Sequence, residues 1–249
     1  MLHALARYGW MAMNWAELVI ASLPMYLLAL LPCAWTRPFY PRLFRYWSQV
    51  FTHALGVELR LHQKNLAPLP PVFILIANHP SAFEDIGIPA LFDVACLAKE
   101  EVRHWWIAGR ISEAAGTLFV KREERASRNA AKQRIIDRLR AGTSVALYPE
   151  GGCKGKRLHD SFRHGAFDIS LRTGIPIVPV FIHYEAQNDF AWPDGVSVPR
   201  KMLDFMRSRN PRANYYLHDA FDPCDFENPE HYARQVHARY LHWQARYLE

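Results

Sequence analysis

The residues best equipped for chemistry lie in Ala77-Asn78-His79-Pro80-Ser81-Ala82-Phe83-Glu84-Asp85, where an apolar run stops at a histidine and two carboxylates follow it. A histidine whose far nitrogen meets a carboxylate is held in one tautomer and becomes a base for an alcohol or thiol near neutral pH. Offsets of five and six residues fall on other faces of a helix, so periodicity alone brings neither Glu84 nor Asp85 to His79. An irregular turn at the helix start is required. The bland alternative is that Asn78 or His79 caps a helix whose first turn favours acidic residues. Two more segments end in groups suited to an anion. Gly116-Thr-Leu-Phe-Val120 closes on Lys121 and Arg122, and Tyr148-Pro149-Glu150-Gly151-Gly152 places glycines where backbone amides can face a negative group.

These groups need strands to carry them. Apolar runs at 72–77, 93–98, 118–120, 144–147 and 175–184 read as buried strands, and 213–217 as an edge strand. Between them lie helical stretches beginning at Pro80 and covering 100–115, 123–140 and 162–172, and a closing helix with Asn228 as N-cap and Pro229 at its first position. Pro176 and Pro179 in the 175–184 run point to an edge strand or a ligand-lining bend. Alternating strands and helices predict an α/β fold, a mostly parallel sheet covered by helices, with the reactive groups at strand ends. No internal repeat is visible.

The chain has 249 residues and a formal charge of +6, with half its residues apolar. That excludes a disordered or coiled-coil chain and favours an anionic partner. Leu18 to Thr36 carries no charge and would span about 28 Å as a helix, close to the roughly 30 Å of a bilayer core. Pro24 and Pro32 disfavour one continuous helix, so two short helices in one leaflet fit as well as one crossing. Tryptophans flank the stretch as interfacial residues do. Phe39, Leu43, Tyr46, Trp47, Val50, Phe51 and Leu55 recur at helical spacing beside Arg37, Arg42 and Arg45, which reads as a membrane-surface helix. We therefore expect residues 1–66 to be a membrane-associated helical segment and 67–249 an α/β catalytic domain. The four cysteines form no C-x-x-C pair and match no histidine spacing, so no metal site is expected.

In order and spacing, NHPSAFED, GTLFVKR, YPEGGCK and IPIVPV resemble the four motifs of the glycerophospholipid acyltransferase family, across Val72 to Tyr184. The stretch Phe162-Arg-His-Gly-Ala-Phe167 is similar to that family's F-K-x-G-A-F. The resemblance implies transfer of a long acyl chain from acyl-CoA or acyl-carrier protein, with no other cofactor, to a lysolipid hydroxyl. His79 would be the base, with Glu84 at the family's aspartate position and Asp85 able to share the role. Ser81, Arg122, Glu150, Gly151, Gly152 and Lys154 would bind substrate; charge adds Lys121. The first acceptor expected is 1-acyl-glycerol-3-phosphate. Two departures leave open a lysolipid without a phosphomonoester, such as lyso-ornithine lipid. Glu84 is one methylene longer than aspartate, and Gly152-Cys153-Lys154 stands where Thr-Arg-Ser is usual. The implied setting is the cytoplasmic face of a bacterial inner membrane.

Other classes fit less well. Gly142-Thr-Ser144-Val-Ala146 lacks the final glycine of a serine elbow, and the segment around Gly155-Lys156 lacks both the first glycine and the Ser/Thr of a P-loop. Residues 121–140 carry eight Lys/Arg against three acids. That helix reads first as a solvated face, then as a docking surface for membrane or carrier protein, and least as a nucleic-acid grip; a basic binding protein without catalysis is the alternative of another class. Cys153, with no base evident beside it in sequence, reads as a small filler.

Overall fold

The computed structural model describes residues 2–36, 38–153, 155–192 and 196–248. Helices α1 (Leu2–Ala29), α2 (Cys33–Thr36) and α3 (Tyr40–Ala54) lead into strand β1 (Glu58–Gln63). Then come β2 (Ile74–Ala77), α4 (Glu84–Leu91), β3 (Ala95–Lys99), α5 (Glu100–Arg103), α6 (Trp106–Ala114) and β4 (Leu118–Val120). The chain continues through α7 (Arg125–Arg140), β5 (Val145–Leu147), α8 (Gly165–Thr173), β6 (Ile177–Tyr184), α9 (Gln187–Phe190) and α10 (Val198–Arg207). It closes with β7 (Arg212–Leu217), a 3₁₀ turn at Pro223–Asp225 and α11 (Pro229–Leu248). Asn228 Oδ1 accepts from the His231 amide at 2.8 Å, the cap its position before Pro229 predicts.

Seven strands form one sheet in the order β1-β7-β6-β2-β5-β3-β4. The five strands β6, β2, β5, β3 and β4 run parallel, while β7 is antiparallel to β6 and parallel to β1. All four residues of β2 are buried, as expected where helices cover both faces of a parallel sheet. On one face Ile74, Ile76, Val145 and Leu147 pack against Ile135 and Leu139 of α7, Phe167 of α8 and Tyr240 of α11. On the other, Leu75, Ala77, Val178 and Val180 pack against Ile88 of α4 and Phe205 of α10. Burying each Val, Leu, Ile or Phe side chain among these contributes about 1.5–3 kcal/mol.

Three expectations are corrected. Residues 58–63 are not helical but add β1 to the sheet beside β7, so 213–217 lies inside the sheet and the sheet reaches into the 1–66 stretch. β6 is central despite its prolines. Pro176 precedes the strand, and Pro179 falls one residue beyond the β7 ladder, which ends at Leu217, so no ladder amide is missed there. The apolar side of α3 faces the protein: Phe44, Trp47 and Val50 are buried with Leu18 and Met25 of α1 and Ile111 of α6.

α1 runs through Pro24 as one helix, and Tyr8–Ala29 is long and apolar enough to cross a membrane. One flank is pinned to α3, where Trp47 Nε1 donates to Ser22 Oγ at 2.8 Å and the Tyr40 hydroxyl to the Met25 carbonyl at 2.8 Å. The other flank exposes Val19, Ile20, Leu23 and Leu27.

Candidate active site

The carboxyl ends of the parallel strands converge on one cluster. β2 delivers Asn78 and His79, β5 delivers Tyr148 to Gly151, β6 ends at Tyr184, and β4 runs into Lys121 and Arg122. Asn78 does not cap a helix. Its side chain prolongs the β2–β6 ladder, donating to the Ile182 carbonyl at 2.9 Å and accepting from the Ile182 amide at 2.6 Å. That leaves His79 as the first residue free to turn away from the sheet.

The turn is short and irregular, and α4 starts at Glu84 rather than at Pro80. Ser81 Oγ accepts from the Phe83 amide at 3.2 Å, while the Ser81 amide donates to Glu84 Oε1 at 3.0 Å. Folding the first helical side chain back over the turn brings Glu84 Oε2 to 3.0 Å from His79 Nδ1. Glu84 is fully buried and accepts a third bond from the Tyr184 hydroxyl at 2.7 Å. Three donors around one carboxylate make the Nδ1–H tautomer of His79 the consistent assignment and turn the Nε2 lone pair outward.

Burial sets the protonation. Only 4% of His79 is exposed, and its ring stacks on Tyr148 with centroids 4.1 Å apart and planes 7° from parallel. Desolvation lowers the His79 pKa below the ordinary imidazole value, so the ring is neutral and basic at pH 7. Burial pushes the Glu84 carboxyl well up, against the bonds from Tyr184 and Ser81 that favour its ionised form. Asp85 is not the Nδ1 partner. Burial raises its carboxyl too, with the charges of His79 and Arg122 and the nearby Tyr148 hydroxyl acting the other way.

Glu150, expected at the substrate, accepts hydrogen bonds from two backbone amides. It is 5% exposed; Oε1 accepts from the His79 amide at 2.7 Å and Oε2 from the His159 amide at 2.9 Å. Both oxygens accept from backbone, so Glu150 ties the His79 and His159 amides to one carboxylate. Ser81, also expected at the substrate, is fully buried in the turn. Gly151 has φ +78°, and a Cβ there would run into the Arg163 side chain. Arg122 reaches across β3 to donate from Nη1 to the Gly151 carbonyl at 2.9 Å, and it stands 3.6 Å from where a Gly152 Cβ would lie. Lys121 turns away and pairs with Glu124 at 3.0 Å, its side chain more than half exposed. Lys154 lies outside the described residues.

One residue read as filler is not. Cys153 Sγ lies 3.4 Å from His79 Nε2. The sequence hides this contact because 74 residues separate the two side chains.

Beside the cluster opens a cleft of about 370 Å³ that shares Arg122, Tyr148 and Gly151 with it. Leu97, Val120, Leu147 and Ile169 line it, and Arg128, Lys132 and Arg163 stand alongside Arg122. Lys132 is paired with Asp168, and Arg128 donates to the Arg122 carbonyl at 2.7 Å. The cleft thus combines apolar and basic lining, and Tyr148, on which His79 stacks, is part of that lining.

The strand ends of a parallel sheet thus carry a His79–Glu84 pair beside a glycine turn bound by Arg122. Residues 58–183 match the model of the family described as Acyltransferase, and the chain belongs to that family. It is 34% identical over 154 residues to the lyso-ornithine lipid O-acyltransferase of Pseudomonas aeruginosa, covering 62% of this chain and 58% of that one. Identity to the 1-acyl-sn-glycerol-3-phosphate acyltransferase of Neisseria gonorrhoeae is 25% over 130 residues, 52% of this chain and 51% of the other. The chain thus spans little more than half the length of these two relatives. Its fold resembles the 1-acyl-sn-glycerophosphate acyltransferase PlsC of Thermotoga maritima, with TM-score 0.64 and 18% identity over 90% of this chain and 93% of the other.

Proposed function

We propose that the protein is a membrane-associated O-acyltransferase that moves a long acyl chain from an acyl-CoA or acyl-carrier-protein thioester to the hydroxyl of a lysolipid. The observation that carries this reading is the buried neutral His79, fixed at Nδ1 by Glu84 with Nε2 turned outward. Such a base takes the hydroxyl proton as the oxygen attacks the thioester carbonyl, then returns it to the leaving thiolate. The apolar lining of the cleft suits the acyl chain, where each buried methylene contributes about 0.8 kcal/mol. The Arg122 guanidinium stands beside the Gly151–Gly152 turn, close enough to the base to hold an anionic group of the acceptor or the developing oxyanion.

Among acceptors, the reading favours lyso-ornithine lipid. Cys153 stands where the family's arginine usually does, so one contact to a phosphomonoester is missing, and the P. aeruginosa relative is named for that acceptor. A second reading, 1-acyl-glycerol-3-phosphate, is favoured by the basic lining of the cleft. The exposed flank of α1 would lie in the lipid, with its other flank holding the domain through α3, on the cytoplasmic side where acyl-CoA and carrier protein are found.

The test is acyl transfer from a radiolabelled long-chain donor to a panel of lysolipids by wild-type and His79→Ala protein. A His79-dependent ester from lyso-ornithine lipid but not from 1-acyl-glycerol-3-phosphate supports the first reading. The reverse supports the second. Undiminished transfer by His79→Ala would remove the mechanism.

A further inference from the structure

Two guanidinium groups meet at Gly151. Arg122 Nη1 donates to its carbonyl oxygen at 2.9 Å, and the Arg163 side chain occupies the space that a Cβ on Gly151 would take. Both arginines line the cleft. Two of the other cations there are engaged: Lys132 pairs with Asp168, and Arg128 donates to the carbonyls of Arg122 and Glu123. Among the described residues, neither Arg122 nor Arg163 forms an ion pair with a carboxylate.

Arg163 is exposed, and an exposed arginine ordinarily meets only solvent. Three features set this one apart. Its amide donates to the Pro149 carbonyl at 2.8 Å, which ties its main chain to the turn that carries Glu150 and Gly151. Phe162 before it and Ala166 after it are buried in the core, so the segment is fixed on both sides. The residue under its side chain is a glycine, shared with a second cation. Like charges gathered without a carboxylate repel each other, and an anion seated between them removes that cost.

We propose that Arg163 and Arg122 together bind the oxyanion of the acceptor headgroup, a phosphomonoester or a carboxylate, and that Arg163 is a specificity-determining residue for acyl transfer. The inference rests on the acyltransferase reading above and adds to it the second group that selects a charged headgroup. Either anion presents paired oxygens that a guanidinium fork meets with parallel hydrogen bonds. Cys153 brings no positive charge to the loop after β5, so the second guanidinium comes from the segment leading into α8. Gly151 directly follows Glu150, whose Oε1 accepts from the His79 amide, so the bound headgroup is tied to the same turn as the base. The free carboxylate of lyso-ornithine lipid and the phosphate of 1-acyl-glycerol-3-phosphate both fit this chemistry; a monoacylglycerol offers neither.

The test uses these three acceptors with one acyl chain, presented in detergent micelles to wild-type, Arg163→Ala and Arg163→Lys protein. Transfer kinetics are measured with donor, and equilibrium binding without it. For the anionic acceptor that the wild type uses, Arg163→Ala should raise KM and Kd by roughly 10- to 100-fold, the size of a lost charge-assisted contact, with kcat within about twofold. Arg163→Lys should recover part of the loss through its charge, the remainder needing the fork. Binding and transfer with monoacylglycerol should not change. A response confined to 1-acyl-glycerol-3-phosphate supports the site with a phosphomonoester as its ligand, and one confined to lyso-ornithine lipid supports it with a carboxylate. Equal losses with all three acceptors, or an unchanged KM and Kd for the anionic ones, overturn the role of Arg163 and leave the acyltransferase reading standing. Headgroup-selective binding that weakens in Arg163→Ala, with no transfer by the wild type, keeps the anion site and overturns the acyltransferase reading. Both variants keep the main-chain bond to Pro149, and their unfolding midpoints should match that of the wild type.

Discussion

The Tyr184 hydroxyl donates to Glu84 at 2.7 Å, on the oxygen opposite the one that faces His79. The carboxylate is thereby held between the end of β6 and the end of β2, and its aim at Nδ1 depends on a residue 100 positions away. Tyr184→Phe should leave Glu84 with the Ser81 amide as its other anchor, lower stability by about 1–3 kcal/mol and reduce kcat roughly tenfold. Glu84→Gln, which keeps the shape but loses the charge, should reduce kcat by roughly 10²–10⁴. Denaturant midpoints and kcat measured together separate the two effects; a Glu84→Gln enzyme with wild-type kcat would show that the carboxylate is not needed.

Glu150 predicts a different pattern. Gln in its place keeps one acceptor oxygen but sets an amide donor against the other backbone N–H. The conflict should cost roughly 1–3 kcal/mol in unfolding free energy and lower kcat with little change in KM, because His79 loosens while the cleft is untouched. A rise in KM alone would instead put Glu150 in contact with substrate.

Because desolvation lowers the His79 pKa, the active neutral form persists below the ordinary imidazole value of 6.5. As pH falls, kcat/KM should therefore hold through 6.5 and decline only beneath it. A midpoint above 6.5 for that acid limb would contradict the buried neutral base.

Arg122→Ala removes the bond to the Gly151 carbonyl along with the cation. Lys in its place keeps the charge but not the fork. KM for acceptors with an anionic group should rise most in Arg122→Ala and less in Arg122→Lys, with neutral-headed lysolipids least affected. Equal losses across all acceptors would assign Arg122 to the oxyanion or the turn rather than to the headgroup.

Far from the site, His218 stacks on Trp243 with ring centroids 3.9 Å apart, and partial burial lowers its pKa from 6.5 to about 4. Between those two values the unfolded chain binds a proton that the folded chain refuses. Stability is thus lost as pH falls through this window and levels off below it. His218→Phe, which keeps the stack, should show a smaller drop in Tm between pH 7 and pH 4.5 than the wild type. Identical drops would mean that solvent screens the ring.

The apolar runs of β2, β5 and β6 and the Asn228-Pro229 helix start were legible in residue order, because burial on both faces and a fixed proline φ are local demands. So was the grouping of His79, Arg122 and the Gly151 turn at strand ends, since parallel strands gather their carboxyl ends on one edge. β1 was not legible: Glu58-Leu-Arg-Leu-His-Gln63 is half exposed, and only β7, some 150 residues later, gives it a ladder. Tertiary contacts also decided the roles of single side chains. Whether Glu84 or Asp85 meets His79 depended on a turn that follows neither the helical nor the strand period. Glu150 became an acceptor for two backbone amides and Cys153 a neighbour of Nε2 because the loop after β5 comes back to His79. Residue type sets what a group can do at the reaction centre, whereas its partner is set by distance in space, which spacing along the chain does not encode once the backbone leaves a regular period.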